Sequence, residues 1–403
     1  MQLFHHYHYH FSLHRFLHSE FWLFEASVWL HVFGRSLISV FIPILLLTSG
    51  YSVGTVMVYY FVYNLFDVPL NFVARWLVRK VGARLVIVAG SLSSIAFFVV
   101  LFRITPENWP LLVLLAFLSA FYDAMYWVAH LFYFIESSRA RRSTSKDTSI
   151  LDIVRRIAGM LAPVFGAAIL IFLGQQILII FSILFLALSI WPLAKMESTR
   201  DKPTDAQLSF REFFKDKRDI RDYLAVSFFG LHGATDGIIW PLFIFFVFET
   251  FESVAAIPVI VALTTIVFTY FAGRVRKRNR SNTLILGSLL VAGIWILRLF
   301  IANAIFYYVS IFLIGIFSVL VSIPMDSGIF EQGQKKDSLS ASMYRNVFSM
   351  GLRAPFYGFL ALLINVFNVS FIIAATAMIV VVAVTVIINR AGASRRSKGI
   401  ALV

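Results

Sequence analysis

The sequence predicts an all-α membrane protein: twelve transmembrane helices in two pseudo-symmetric halves of six. Three observations carry that expectation. The composition is too apolar for a water-soluble domain, the apolar runs are long enough to cross a bilayer, and a set of motifs recurs in the same order in the second half. Of 403 residues 60% are hydrophobic and 14% charged, and 43 are Phe, which suits a surface against lipid tails. The formal charge of +14 invites a nucleic-acid reading, but Lys and Arg sit in short blocks between apolar runs rather than on one soluble face. The chain has no Cys, which excludes disulfides, thiolate metal sites and a Cys nucleophile.

Crossing the hydrocarbon core takes about 20 apolar residues in a helix. In order, the candidate spans are Trp22–Leu47, Val53–Leu77, Leu85–Phe102, Pro110–Ile135, Ile150–Phe172 and Ile177–Ala194. After the long polar stretch Glu197–Asp222 come Tyr223–Phe248, Val254–Ala272, Thr283–Ile301, Ile305–Phe330, Met343–Phe367 and Phe371–Ile388. Within the polar stretch, Leu208–Lys215 repeats its apolar residues at helical spacing and predicts a helix lying at the interface. The chain thus divides into a His-rich lead-in (1–21), a first half (22–196), a central loop (197–222), a second half (223–389) and a basic tail (390–403).

Charge fixes the expected orientation. The even-to-odd loops and the tails hold 28 of the 35 basic residues, while the opposite loops border only Arg103 and Arg298. The positive-inside rule therefore puts both termini in the cytoplasm of a plasma or bacterial inner membrane, as an even number of spans also requires. Six of the nine His fall in Met1–Ser19, without the basic start and small-residue cleavage site of a secretory signal. That segment reads as an amphipathic lead-in at the interface, with a metal-binding tail as the alternative.

The halves share motifs. The fifth span reads Gly159-Met-Leu-Ala-Pro163-Val-Phe-Gly166 and the eleventh Gly351-Leu-Arg-Ala-Pro355-Phe-Tyr-Gly358, the same G-x-x-A-P-x-x-G 192 residues apart. Spans two and eight both end in basic turns, Arg75–Arg84 and Arg274–Arg280. Spans three and nine share Gly-Ser-Leu, at Gly90 and Gly287, and an outer-end Arg. Spans one and seven share Leu30-His31 and Leu231-His232, each with a charged residue one turn later. Repeats of this kind put a substrate site at their interface near the bilayer midplane.

Six plus six spans, a central loop and both ends on one side resemble the major facilitator superfamily over essentially the whole chain. That family's loop after span two reads G-x-x-x-D-R-x-G-R-R. Here Arg75-Trp-Leu-Val-Arg79-Lys80-Val-Gly82-Ala-Arg84 keeps Gly82 and Arg84, but has Arg at the first Gly and at the acid. The paired G-x-x-A-P-x-x-G resembles the family's fifth-span antiporter motif without the Gly before Pro. Because both halves carry it, it reads as a packing and kink feature. The resemblance implies that spans 1, 4, 7 and 10 line a central cavity, with 2, 5, 8 and 11 at its sides.

Ionisable residues inside spans cost several kcal/mol unless a cavity or partner receives them, so each is a functional candidate. Ser27, His31, Arg35 and Ser39 form one polar column on span 1, and His232, Asp236 and Trp240 another on span 7. Span 4 aligns Asp123, Trp127, His130 and Phe134, and span 10 aligns Ser318, Ser322 and Asp326. Span 2 carries Tyr60, Asn64, Asp67 and Asn71; span 11 carries Arg345, Ser349 and Arg353. The candidates for substrate binding or coupling are accordingly Arg35, Asp67, Asp123, Trp127, His130, His232, Asp236, Trp240, Asp326 and Arg353. Arg35 and Asp236 have matched depth and opposite charge, predicting an ion pair between the halves that is either a static lock or part of the site. Asp123 has no opposite charge within a turn, which suits a carboxylate that loads and releases a proton. Glu136, Arg155, Glu331 and Arg345 lie near the basic ends of their spans as candidates for a cytoplasmic gate.

These features point to a secondary transporter of a small solute working by alternating access and coupled to protons, embedded in the bilayer as a monomer. A lipid or lysolipid carrier of the same fold and a transport-inactive scaffold or sensor are the alternatives. No Walker A sequence, H-E-x-x-H or G-x-S-x-G occurs, so an ATP-driven pump, a zinc enzyme and a serine hydrolase are not expected, nor is any cofactor.

Overall fold

The computed structural model describes residues 20–106, 108–140, 145–196, 202–203, 208–215, 217–272 and 280–400. The His-rich lead-in falls outside them but for its last two residues. The described residues form twelve successive helical stretches. In the first half these are α1 (Glu20–Ser36, continued by the 3-10 turn Ser39–Phe41 and by Ile42–Thr48), α2 (Val53–Val81), α3 (Ala83–Leu101), α4 (Trp109–Ala140), α5 (Ser145–Leu173) and α6 (Gln175–Lys195). In the second they are α7 (Lys217–Ala234, a π turn Thr235–Ile239, then Trp240–Phe248), α8 (Phe251–Ala272), α9 (Arg280–Phe300), α10 (Ala304–Lys335), α11 (Ser338–Gly351 and Arg353–Leu360) and α12 (Val366–Ile400). Among the described residues nine helices are long and apolar enough to cross a membrane, and Ala158–Leu173 and Phe251–Val261 are shorter apolar runs.

Most helices extend a turn or more beyond the apolar runs, and polar caps fix the starts of α2 and α10 at or next to the expected residues. Ser52 accepts from the Thr55 N–H (3.1 Å), and Asn303 from those of Ile305 and Phe306 (2.8 and 3.3 Å). The eleventh span differs from expectation. It ends at Leu360 rather than Phe367 and is split at Leu352. Pro355 has no N–H for the Gly351 carbonyl and its ring crowds that group, so the helix breaks there, and Asn365 accepts from the Asn368 N–H (3.4 Å) to start α12 early. The same motif around Pro163 leaves α5 unbroken.

The predicted interfacial helix is a single turn, Phe210–Phe213, started by a capping box in which Ser209 and Glu212 bond reciprocally. The Ser209 hydroxyl and N–H hold the Glu212 carboxyl below its ordinary range. The turn does not lie on lipid along its whole face. Phe213 is fully buried against Tyr223 and Tyr344, and the Lys336 ammonium donates to its carbonyl (2.7 Å).

The two halves use the same pairings. α1 packs on α5 and α6, α2 and α3 on α4; equally α7 packs on α11 and α12, α8 and α9 on α10. The matched glycines explain one of these contacts. A Cβ on Gly90 would stand 2.9 Å from the Tyr126 nitrogen, and one on Gly287 2.8 Å from the Leu320 Cβ, so only glycine lets α3 and α9 approach their neighbours. Between the halves α2 packs on α11 and α5 on α8. Aromatic contacts join the halves toward both ends: Phe134 with Phe330 (5.9 Å) at the basic end, and Phe41 with Phe251 (6.1 Å) and Tyr60 with Tyr357 (5.2 Å) toward the other.

The apolar core comprises two clusters. One, at the basic end, includes Leu23, Ala74, Phe132, Met325 and Tyr344; the other includes Leu37, Val56, Ile244, Val321 and Phe356. Between them lies a layer of buried polar side chains, His31, Asn64, Asp67, Asn71, Asp123 and Asn346 among them.

Candidate functional site

This polar layer brings together residues from both halves. On α2 the Asn71 amide donates to its neighbour's carboxylate, Oδ2 of Asp67, at 2.9 Å and to the Asp67 carbonyl at 2.7 Å. From α11 the Asn346 amide donates to Asn71 Oδ1 (2.8 Å) and reaches Asp123 Oδ2 on α4 (3.4 Å). The carboxyl groups of Asp67 and Asp123 are neighbours close enough for one to donate to the other once protonated. Asp67 is 0% exposed and Asp123 7%; neither pairs with a cation within 4.0 Å among the described residues, and Asp67 Oδ1 accepts no hydrogen bond. Tyr63, Arg35 and Arg353 stand around them within electrostatic range.

Three helices are broken within their spans and carry charged residues at or beside the break. Arg35 ends the first segment of α1, Asp236 lies in the π turn of α7, and Arg353 begins the second segment of α11. Proline accounts for the location of each: Pro43, Pro241 and Pro355 leave the carbonyls of Ser39, Gly237 and Gly351 without their i+4 donor. Interrupted helices in membrane carriers put freed backbone and side chains at the binding site.

Arg35 and Asp236 do not form the expected pair. Arg35 Nη1 donates to Ser94 Oγ (3.2 Å), and its guanidinium lies 4.6–5.4 Å from the rings of Phe97, Phe98 and Tyr122. Asp236 pairs instead with Arg298 (3.6 Å). Arg298 lies in the last turn of α9, as expected, but is buried: it donates through Nε to Ser310 (2.8 Å) and lies 3.5 Å from Trp240 and 4.4 Å from Trp295. A shared wall of aromatics makes a neighbour on α9 a better partner for Asp236 than a helix of the other half. Trp240 is fully buried in that wall rather than at an open surface.

His232 and His31 are fixed by hydrogen bonds. Trp295 Nε1–H donates to His232 Nδ1 (2.9 Å), so Nε2–H is the donor to Ser318 Oγ (3.0 Å). His31 has the opposite tautomer. Ser91 spends its proton on the Ile87 carbonyl (3.0 Å), so it accepts from His31 Nδ1, and Nε2 accepts from the Tyr122 hydroxyl (3.0 Å). His130 stacks between Phe24 and Tyr126 (5.3 and 5.6 Å), beside Trp127, which is 40% exposed. Asp326 and Arg345 pair with each other (3.0 Å), which takes Arg345 away from the gate and Asp326 out of the uncompensated set.

At the basic end Ser338 donates to Glu136 (2.6 Å) and Arg280 holds Glu331 through two bonds (2.8 and 3.3 Å). The side chain of Arg155 lies outside the described residues. Asp337, absent from the sequence candidates, is the centre of this end. It caps α11 by accepting from the Ser340 N–H (3.0 Å) and hydroxyl, and pairs with Arg79 (3.3 Å) and Arg75 (3.6 Å). Its signal was the acid before Ser-Leu-Ser at a helix start. Asn346 was also legible, lying at helical spacing between Ser342 and Ser349–Arg353.

The family model of the Major Facilitator Superfamily matches residues 26–352. No curated protein matches the sequence. Among solved structures, the human organic anion transporter MFSD10 (TETRAN) is similar with a TM-score of 0.61 at 12% identity, over 90% of this chain and 98% of that one. The transporter FucP in its outward conformation gives 0.64 at 15% identity, over 93% and 99%. A POT family transporter in complex with a thioalcohol-conjugated peptide gives 0.68 at 12%, over 92% and 95%. At such identities the likeness concerns the fold.

Proposed function

The chain belongs to the Major Facilitator Superfamily, and from that premise we propose that it carries a small solute by alternating access, driven by a proton held at the Asp67–Asp123 pair. One observation carries the proton reading. Asp67 is fully buried, its Oδ1 has no donor, and its neighbour is a second carboxyl group without an ion pair. A proton shared by the pair closes a hydrogen bond between the two carboxyl groups and removes one of two adjacent buried charges, so loading and unloading it changes the energy of the cluster by several kcal/mol. Asn346 ties the pair to α11, so the charge of two helices in the first half is felt by one in the second. The breaks in α1, α7 and α11 supply places for the helices to bend as the halves rock.

The test is transport by Asp123→Asn, which keeps the size of the side chain and fixes it neutral. In proteoliposomes with a pH gradient and a radiolabelled panel of small organic solutes, wild type accumulates its substrate. The variant is expected to lose accumulation and to keep equilibrium counterflow. Full accumulation by Asp123→Asn removes the proton from this site.

A further inference from the structure

We infer that the solute is an organic anion, its acidic head held between Arg35 of the first half and Arg353 of the second, and that it binds together with the proton. This rests on the proton reading above.

The argument starts from charge. In and beside the polar layer, Asp236 is paired with Arg298 and Asp326 with Arg345. Four charged groups remain without an ion pair among the described residues: Asp67, Asp123, Arg35 and Arg353. With both carboxylates ionised the four sum to zero. One proton leaves a net positive charge in a buried site, and an anion restores neutrality. Proton and anion therefore favour one another's binding, each removing the charge the other would leave uncompensated.

The arginines are placed for this. Asp123 feels both Arg353 of the second half and Arg35 of the first. Arg35 makes one hydrogen bond, to Ser94, and its rings of contact leave the guanidinium edge with further N–H groups to give. Arg353 donates to the Gly230 carbonyl (3.1 Å) and weakly to Ser349 (3.5 Å) at the break of α11. An acidic head that takes the remaining N–H groups of both makes forked, charge-assisted bonds and joins α1 to α11. Tyr60 and Tyr357, stacked across the two halves at 5.2 Å, offer flat apolar surface to an aromatic body. The groups that bear on Asp123, and hence on the pH dependence, are Tyr63 and Asp67 on α2, Arg35 on α1, Tyr122 on its own helix, and Arg345, Asn346 and Arg353 on α11.

The full-length protein in detergent tests this with four probes that share a ring and differ in the head: benzoate, phenyl phosphate, benzylammonium and benzyl alcohol. Calorimetric titration in buffers of different ionisation heat reads affinity and proton uptake together. Benzoate or phenyl phosphate is expected to bind, more tightly at pH 5.5 than at pH 8, with uptake of about one proton. Which of the two binds better assigns a carboxylate or a phosphate head. Arg35→Gln and Arg353→Gln should each weaken it by roughly tenfold or more, and Arg35→Lys by less, since the charge stays. Asp123→Asn should bind the anion without taking up a proton. The inference is overturned if neither anion binds, if benzylammonium or benzyl alcohol binds instead, or if both Gln variants, folded as wild type, bind the anion unchanged. Anion binding that depends on both arginines but takes up no proton in wild type keeps the anion site and removes the proton reading.

Discussion

At the scale of single residues, the least expected contact is Asp236 with Arg298. Sequence depth matched Asp236 to Arg35, but depth alone does not say which way a side chain turns. Arg298 reaches Asp236 because Trp240 and Trp295 give its guanidinium two ring faces and Ser310 takes Nε. The pair is partly buried, with Arg298 wholly enclosed and Asp236 at 21% side-chain exposure. Asp236→Asn strands a buried cation and is expected to lower stability by on the order of 3 kcal/mol. Adding Arg298→Met should recover much of that loss. Thermal unfolding of the single and double variants in detergent measures both, and an Asp236–Arg35 double variant that rescues instead would return the pairing to the one depth suggests.

At the scale of elements, helix type and order were legible because span length and apolar runs decide them. The break in α11 was written in Pro355, yet the same motif in α5 runs on unbroken, so neighbours decide whether a proline kinks or splits. The basic turn after α2 shows how a departure in sequence acquires a partner. Where the family's pattern has an acid this chain has Arg79, and the acid is found on α11, as Asp337. Asp337 thereby holds the end of α2 to the start of α11, beside the Glu136–Ser338 bond. Asp337→Ala is expected to open this end. The absence of native Cys allows spin labels at Val81 and Lys335 alone, and their distance distribution should shift to longer values. Arg79→Asp combined with Asp337→Arg should bring it back; no shift in the single variant makes the contact incidental.

At the scale of the whole molecule, fold and family were readable from the chain, and the wiring of the polar layer was only half so. Asp67, Asp123, Arg35 and Arg353 stood out as charges within apolar helices. That Asp67 and Asp123 are neighbours, joined through Asn346 to α11, follows from how α2, α4 and α11 pack, which no local pattern encodes. The same packing makes the layer a shared property of both halves, and the proposed proton would act through it on both. The most direct measurement of this account is proton movement caused by solute alone. Proteoliposomes enclosing a pH-sensitive dye, with no pH gradient and no membrane potential, receive the transported solute on one side. Wild type is predicted to change internal pH in step with solute entry, and Asp123→Asn to pass solute with no change. Solute entry through wild type at constant internal pH would contradict the central claim.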